Sequence, residues 1–391
     1  MYIVLNQGIN LTDIKETNNS RVINLILNQE NITRSEISDI TQLTLASISK
    51  ITKKLIDYKL IYESKYVKGK SGRRAIGLAF NYNHSYILGV KISRGYYQIS
   101  LFNLKCELQE SFKYDYVLDD SELFIPILAE NIKKFIKKRS DIILISFAVP
   151  GPFNHKTGRI ELMTEYTYLD QVNIYELSDY IDVPIIANQD ANVACSAVAG
   201  YYQLEEDSLA FYYLDKGVGA GITSSYELIK GNLGTAGEVG HISIDYNGKD
   251  CSCGNKGCLE LYCSTLSAIH EINERYGTNF KDIECFFSQT QNKSYFKETI
   301  NRLAKYISIG ALNIINAYNP SIIVFGGEMM KGVEYLKEPI LQMLEKNVVR
   351  NIYSETNLIF SDNSYDFVLY GTAYIGVDYV LNNLSLLLKY K

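Results

Sequence analysis

His241, Cys251, Cys253 and Cys258, in the stretch GEVGHISIDYNGKDCSCGNKGCLE, have the side chains and the spacing of a closed zinc site. A tetrahedral structural zinc (Zn2+) takes thiolate and imidazole ligands, and three cysteines with one histidine are among its usual sets. Gly254 and Gly257 let the loop between Cys253 and Cys258 turn back on the metal without a Cβ penalty. Glu238 lies three residues before His241, and Glu260 two residues after Cys258. A metal here would therefore hold two carboxylates and one free imidazole nitrogen in fixed positions facing the same space. Three free thiols buried in a turn are the competing reading. Cysteines interleaved with glycine and charge are poor core material, so metal is favoured.

A second set of residues is basic. Between Leu43 and Arg74 the chain carries Lys50, Lys53, Lys54, Lys59, Lys65, Lys68, Lys70, Arg73 and Arg74 against Asp57 and Glu63. That segment is +7, in a protein whose net charge is −5, so the remainder is about −12. A basic block on an acidic body is the electrostatic layout of a DNA-reading module attached to something else.

The elements that must position those charges read as three helices and a β-wing. In Ser20–Gln29, Val22, Ile23, Ile26 and Leu27 share one helical face. A short second helix starts at Ser35, with Thr33 or Ser35 as its N-cap, and Thr41-Gln42-Leu43 forms a tight turn. Thr44 caps a third helix, LASISKITKKLIDYKL, with Ile48, Ile51 and Leu55 as its buried stripe. Thr44, Ser47, Ser49, Lys50 and Lys53 are then placed to meet base edges and phosphates, as on the second helix of a helix-turn-helix. The stretch IYESKYVKGKSGRRAIGLAF predicts two alternating strands around a Gly/Ser/Lys/Arg tip, with Arg73 and Arg74 set for phosphate or minor-groove contact. A protein-binding winged helix, or a solvated basic face, is the blander alternative.

Beyond a linker at 81–85 (NYNHS) the pattern changes. Tyr86–Leu104 predicts two strands around a Ser-Arg-Gly turn, Leu123–Lys138 a helix, and Ile142–Val149 an apolar strand ending in Pro150-Gly151-Pro152. Strand Val183–Ala187 runs into Asn188-Gln189-Asp190 and an alanine-rich helix. Leu209–Leu214 enters a glycine-rich loop, 216–221, and Ile322–Phe325 meets Gly326-Gly327. Strands closing on glycine-rich or polar turns that open helices mark α/β sheets with ligands at strand ends.

The 391 residues, 47% hydrophobic and 21% charged, are ordinary values for a globular protein of two or three domains. Seven cysteines with three clustered fit metal binding and not a secreted disulfide framework. The N-terminus lacks the basic and long apolar stretches of a signal peptide, and no segment approaches the ~18 apolar residues of a membrane span. These features predict a cytoplasmic protein with no membrane partner.

The N-terminal winged helix, GEVGH, CSCGNKGC and the trailing Leu259-Glu260 together resemble the ROK family of repressors and sugar kinases. The resemblance runs from about Asn19 to the last helix. It implies an actin-like, two-lobed α/β sugar-kinase fold behind an N-terminal winged helix-turn-helix, with zinc on His241, Cys251, Cys253 and Cys258. It also implies a sugar pocket formed by Gln189, Asp190, Glu238, His241 and Glu260, whose carboxylates and amides suit vicinal hydroxyls. The implied division is 1–80 for DNA binding, 85–200 for the first lobe, completed by a C-terminal helix 370–391, and 201–369 for the second lobe with the zinc site.

Departures from the family pattern separate repressor from kinase. Family kinases carry D-x-G-G-T in the first hairpin, where this chain has Lys91-Ile92-Ser93-Arg94-Gly95. Lysine removes a hard oxygen ligand for magnesium, and Arg94 adds bulk where glycine is wanted. KISRG is similar instead to the glucose and N-acetylglucosamine repressor branch, and the chain as a whole resembles glucose, N-acetylglucosamine and xylose repressors. Gly217, Gly219, Gly221, Gly326 and Gly327 are then a vestigial nucleotide site, and Asp190, the base in a kinase, becomes a ligand for the effector. Gln189 stands where the family has Asn, one methylene longer, which leaves sugar identity open. The resulting expectation is a non-enzymatic, sugar-responsive repressor, dimeric or a higher homo-oligomer, that binds operator DNA and a sugar or sugar-phosphate effector. An ATP-dependent sugar kinase with an appended DNA-binding domain is the alternative, and a module sensing a partner protein is a third.

Overall fold

The computed structural model describes residues 11–68, 74–116, 123–161, 169–202, 204, 208–225, 227–348, 350–362 and 364–388. Its first body contains α1 (Leu11–Asn28), β1 (Ile32–Thr33), α2 (Arg34–Thr41), α3 (Leu45–Asp57) and the hairpin β2 (Ile61–Lys68) and β3 (Arg74–Phe80). Helix α1 starts nine residues before the apolar stripe that announced it at Ser20. Thr33 caps α2 in a full capping box: its hydroxyl accepts from the Glu36 amide, while Glu36 accepts from the Thr33 amide. Gln42 adopts the left-handed conformation that turns the chain between α2 and α3. On α3, Ile48 and Leu55 are buried as expected, but Thr52 takes the place foreseen for Ile51, which is only partly buried. Thr52 tolerates burial because it donates to the Ile48 carbonyl and accepts from the Arg34 Nε.

The first lobe is built on β4 (Tyr86–Ser93), β5 (Tyr96–Asn103), β6 (Leu108–Asp115), α4 (Phe124–Lys138), β7 (Ile142–Val149), the short pair β8 (Phe153–Asn154) and β9 (Arg159–Ile160), β10 (Ile185–Gln189) and α5 (Asp190–Tyr202). Among the described residues its main sheet has the order β10-β7-β4-β5-β6, with β10 and β4 parallel to β7. Strand β7 is buried along its whole length, as a continuous apolar run covered on both faces must be.

The second lobe contains β11 (Leu209–Leu214), β12 (Val218–Ser224), β13 (Glu227–Leu228), α6 (Glu260–Cys263), α7 (Thr265–Tyr276), α8 (Ile283–Gln289), α9 (Ser294–Tyr318), β14 (Ile322–Gly326), α10 (Val333–Asn347), α11 (Arg350–Glu355) and β15 (Asn357–Phe360). Its sheet order is β13-β12-β11-β14-β15 among the described residues. The chain then returns to the first lobe through α12 (Phe367–Asn382), which packs on β4 and β7, while α5 beside it packs on β11 and β12. The expected C-terminal helix, 370–391, therefore starts earlier and ends at Asn382; residues 389–391 lie outside the described residues.

One apolar core ignores the boundary expected near residue 80. Ile23, Ile26, Leu60 and Ile61 of the first body share it with Ile87, Leu104, Ile143, Leu144, Val380, Leu384 and Leu387. The segment read as a linker is itself pinned: Asn81 bonds to the Leu60 and Lys59 carbonyls, and His84 to the Tyr58 carbonyl. Among the described residues no helix is long and apolar enough to cross a membrane.

Candidate functional site

A partly open cleft lies where β4, β10 and the β11–β12 turn meet the segment 238–260. It is lined by Gln189 and Asp190, by Glu238, His241 and Glu260, and by Lys91 and Arg94. The strand β10 ends at Gln189 and α5 starts at Asp190, so the two side chains stand at a strand-to-helix turn. Gln189 donates from Nε2 to Glu238 Oε1 at 2.7 Å, a bond across 49 residues of sequence. Its Oε1 is buried with no hydrogen-bond partner, and a buried acceptor left unmet is costly. An incoming hydroxyl would satisfy it. Asn188 points elsewhere, accepting from the Gln189 amide and the Asn192 side chain.

Carboxylates crowd this space. Burial pushes the Asp190 carboxyl up to about 7, with Asp215 adding to the rise and the Ala191 amide, Arg94 and Lys91 opposing it. Burial likewise lifts Glu238 to about 8, helped by the charges of Asp190 and Glu260 and opposed by the bond from Gln189. Near neutral pH these two groups are poised between donor and acceptor, which suits hydroxyl recognition.

Glu260 is almost fully buried and links the cleft to a second constellation. Its Oε1 lies 3.6 Å from His241 Nδ1 and 3.9 Å from Cys251 Sγ. The four candidate ligand atoms of His241, Cys251, Cys253 and Cys258 lie within 4.8 Å of one another. Cys251 Sγ is 3.7 Å from His241 Nδ1, and Cys253 Sγ is 3.6 Å from Cys258 Sγ. A tetrahedron with metal–sulfur bonds of ~2.3 Å has edges of ~3.8 Å, so the donor set fits a metal in size as well as in type. Burial, together with the neighbouring Cys253 and Cys251 thiols, pushes the Cys258 thiol well up; a cation close by is what holds such a sulfur as thiolate.

The first hairpin carries two of the cations that line the cleft, Lys91 and Arg94. Lys91 Nζ lies 2.7 Å from Asp366 Oδ2, and the lysine is 8% exposed. Burial works against its charge, but Asp366, Tyr96 and Asp215 together outweigh burial and hold the ammonium above its usual range. Arg94 reaches over the hairpin turn Asp215-Lys216-Gly217, where a Cβ on Gly217 would meet its guanidinium at 3.3 Å and Glu260 Oε2 at 3.7 Å. Its Nε is buried without a partner.

The glycines expected as a phosphate-binding loop need correction. Only Gly217 lies in a turn; Gly219 and Gly221 belong to strand β12, paired with Tyr213 and Phe211. A Cβ on Gly221 would come within 2.3 Å of the Ala191 carbonyl and 2.5 Å of Cys195 Cβ, so this glycine admits α5 and not a nucleotide. Gly326 lies against the Phe211 ring, and Gly327, with φ +95°, against the Leu214 carbonyl. Glycine spacing alone does not distinguish a loop from a strand that a helix approaches closely.

Several lining residues went unread in the sequence: Tyr96, Tyr213, Asp215, Lys216 and Glu328. Tyr213 donates to Asp215 at 2.7 Å, and Lys216 donates to the Arg94 carbonyl at 2.9 Å. The adjacent Asp215-Lys216 before Gly217 was the available signal; single tyrosines in alternating strands carry none. On the first body Thr44, Ser47, Ser49, Lys50 and Lys53 are exposed. Arg73 and the side chain of Arg74 lie outside the described residues.

Residues 87–375 match the sequence profile of the ROK family. The chain belongs to the ROK family. Among its relatives, the xylose repressor of Caldicellulosiruptor bescii is 27% identical over 365 residues, covering 88% of this chain and 92% of that protein. The N-acetylglucosamine repressor of Escherichia coli O157:H7 is 26% identical over 370 residues, 90% of each chain. A solved ROK family transcriptional regulator, a homolog of the Escherichia coli MLC protein, superposes with a TM-score of 0.82 at 25% identity, covering 96% of this chain and 99% of its own. A ROK family glucokinase from Streptomyces griseus, solved with glucose and AMPPNP, matches 75% of this chain and 99% of its own at a TM-score of 0.64. At 17% identity that likeness speaks for the fold alone. The two lobes are thus the actin-like sugar-kinase architecture of ROK proteins, and the 25% of this chain absent from the kinase match leaves room for the N-terminal helices.

Proposed function

We propose that this ROK chain is a sugar-responsive transcriptional repressor. It reads operator DNA through a winged helix-turn-helix made of α1–α3 and the β2–β3 wing, and takes a carbohydrate effector in the cleft between its lobes. One observation carries the reading: Gln189, Asp190, Glu238, His241 and Glu260, from distant parts of the chain, converge on one cleft in which the buried Gln189 Oε1 lacks a partner. Sugar hydroxyls both donate and accept, which is what this mixture of amide, imidazole and poised carboxylates requires. Both relatives named above are repressors named for a sugar.

Zinc would be held by His241, Cys251, Cys253 and Cys258, as a structural ion that fixes the segment carrying Glu238 and Glu260. Its contribution is positional. Lys91 and Arg94 argue against phosphoryl transfer, since one cation is locked onto Asp366 and the other covers the turn where phosphates would lie. The chain acts as a homodimer in this reading, its two α3 helices reading half-sites about one turn of DNA (~34 Å) apart. Effector binding shifts the lobes toward a closed population, and the core shared with the reading head transmits that shift to the half-site spacing.

The test is operator affinity, measured by fluorescence anisotropy on a DNA site selected from a random library. Xylose, N-acetylglucosamine, glucose and their phosphates are added in turn. One of them should change DNA affinity and also raise the melting temperature, because a ligand of the native state adds RT ln(1 + [L]/Kd) to stability. If no sugar moves either quantity, the effector reading fails.

A further inference from the structure

We infer that Leu45 and Ala46, at the start of α3, read thymine methyl groups in the major groove. This inference rests on the reading of the chain as a DNA-binding regulator and names what its recognition helix recognises. Leu45 is 54% exposed, a large apolar side chain on the first turn of a helix whose buried residues are Ile48, Thr52 and Leu55. Ala46 beside it is exposed as well.

The neighbouring polar groups are already engaged. Thr44 Oγ1 accepts from the Ser47 amide at 3.2 Å, and the two hydroxyls lie 3.0 Å apart, so the cap consumes much of their hydrogen-bonding capacity. Helix α3, LASISKITKKLID, contains no Arg, Asn or Gln. The side chains that read guanine or adenine in a bidentate fashion are thus missing from it, apart from lysine toward guanine. Apolar contact with the thymine methyl is the direct readout that Leu45 and Ala46 themselves offer.

Charge identifies the occupant of the apolar turn. Lys50, Lys53 and Lys54 are exposed on the same helix, within the segment that carries +7, so a polyanion is drawn to this helix. An apolar first turn left in water on a helix that carries three exposed lysines is explained by a partner that is anionic outside and apolar where the methyls project.

The test uses the full chain and the DNA site it selects from a random library. Each thymine of that site is replaced in turn by deoxyuridine, which removes the methyl group alone. Binding should weaken about fourfold for each methyl that the helix touches, at one or two adjacent positions per half-site. In Leu45→Ala the same replacements should become neutral. Leu45→Gln, which keeps helix propensity, should shift the selected base at that position toward adenine. If deoxyuridine is neutral everywhere in a selected site, or its effect persists undiminished in Leu45→Ala, the inference is wrong while the regulator reading stands. If the chain selects no sequence at all, the regulator reading falls first.

Discussion

Lys91 Nζ lies 2.7 Å from Asp366 Oδ2, joining strand β4 at the cleft to the N-terminal cap of helix α12. Asp366 also caps that helix, its Oδ1 accepting from the Leu369 amide at 3.0 Å. A cation therefore stands at this corner of the cleft, and its counter-charge is the cap of the helix that runs on toward Val380, Leu384 and Leu387, in the core shared with the N-terminal body. One helix thus has its cap at the corner of the cleft and its far end in the core that the N-terminal body shares.

This pair makes a prediction about chemistry and one about stability. No sugar-dependent transfer from ATP should exceed background in a coupled assay, and turnover near ~1–100 s⁻¹ would overturn the repressor reading. Asp366→Ala removes the cap and leaves Lys91 buried without its partner, so it should cost about 2–4 kcal/mol in denaturant unfolding, less than a fully buried pair because Asp366 is partly solvated. Lys91→Met should be close to neutral, since an apolar side chain of similar length removes the buried charge as well.

Metal content is the second prediction. Protein purified without chelator should hold about one zinc per chain by elemental analysis, and Cys253→Ser should lose it with a fall in melting temperature. A metal-free protein of unchanged stability would sink the assignment. Glu260, 3.9 Å from Cys251 Sγ, is close enough that Glu260→Gln, which keeps the size but replaces one acceptor oxygen with a donor, is a safer probe of the cleft than Glu260→Ala.

The third prediction concerns pH. An unfolded aspartate titrates near ~3.9, whereas Asp190 in the cleft is raised to about 7. Between these values the native state holds a proton that the unfolded chain has lost. The stability from this group is fully present below the unfolded value and is lost as pH rises through about 7, with Glu238 extending the loss to about 8. The melting temperature of the sugar-free protein should therefore fall from pH 5 to pH 8 more steeply in the wild type than in Asp190→Asn. Equal slopes would contradict the burial of the Asp190 carboxyl in the cleft beside Asp215.

Local chemistry was the legible part of this sequence. The cap at Thr44 and the strand Ile142–Val149 follow from residue types a few positions apart, and so do the turn at Gln42 and the spacing of the three cysteines. Relations between distant segments were not legible. Nothing near Lys91 announces Asp366, 275 residues away, and nothing in Gly219-Ala220-Gly221 says that α5 will press on it. The segment 81–85 is polar and read as a linker, yet its backbone and side chains find partners at Tyr58, Lys59 and Leu60, which only the folded chain brings near.

The last prediction separates reading, sensing and their connection. Lys50→Ala should weaken DNA binding and make its salt dependence shallower if the Lys50 ammonium meets a phosphate, since each neutralised phosphate contributes about −0.9 to the slope. Sugar-induced thermal stabilisation should be unchanged in that variant, because Lys50 is exposed on α3, far from the cleft residues in sequence and core. Glu260→Gln should do the reverse, retaining DNA binding while losing the effect of sugar on it. Leu387→Ala is the informative third case. Leu387 is fully buried between the two bodies, so truncation costs stability, about 2–5 kcal/mol for a leucine in a core. Under conditions where the variant remains folded, it should still bind DNA and still be stabilised by sugar, but with the coupling between the two reduced. Anisotropy with and without the effector, read beside the sugar-induced thermal shift, measures all three quantities on one protein. Coupling that survives in Leu387→Ala at its wild-type value would mean that the signal does not travel through this core.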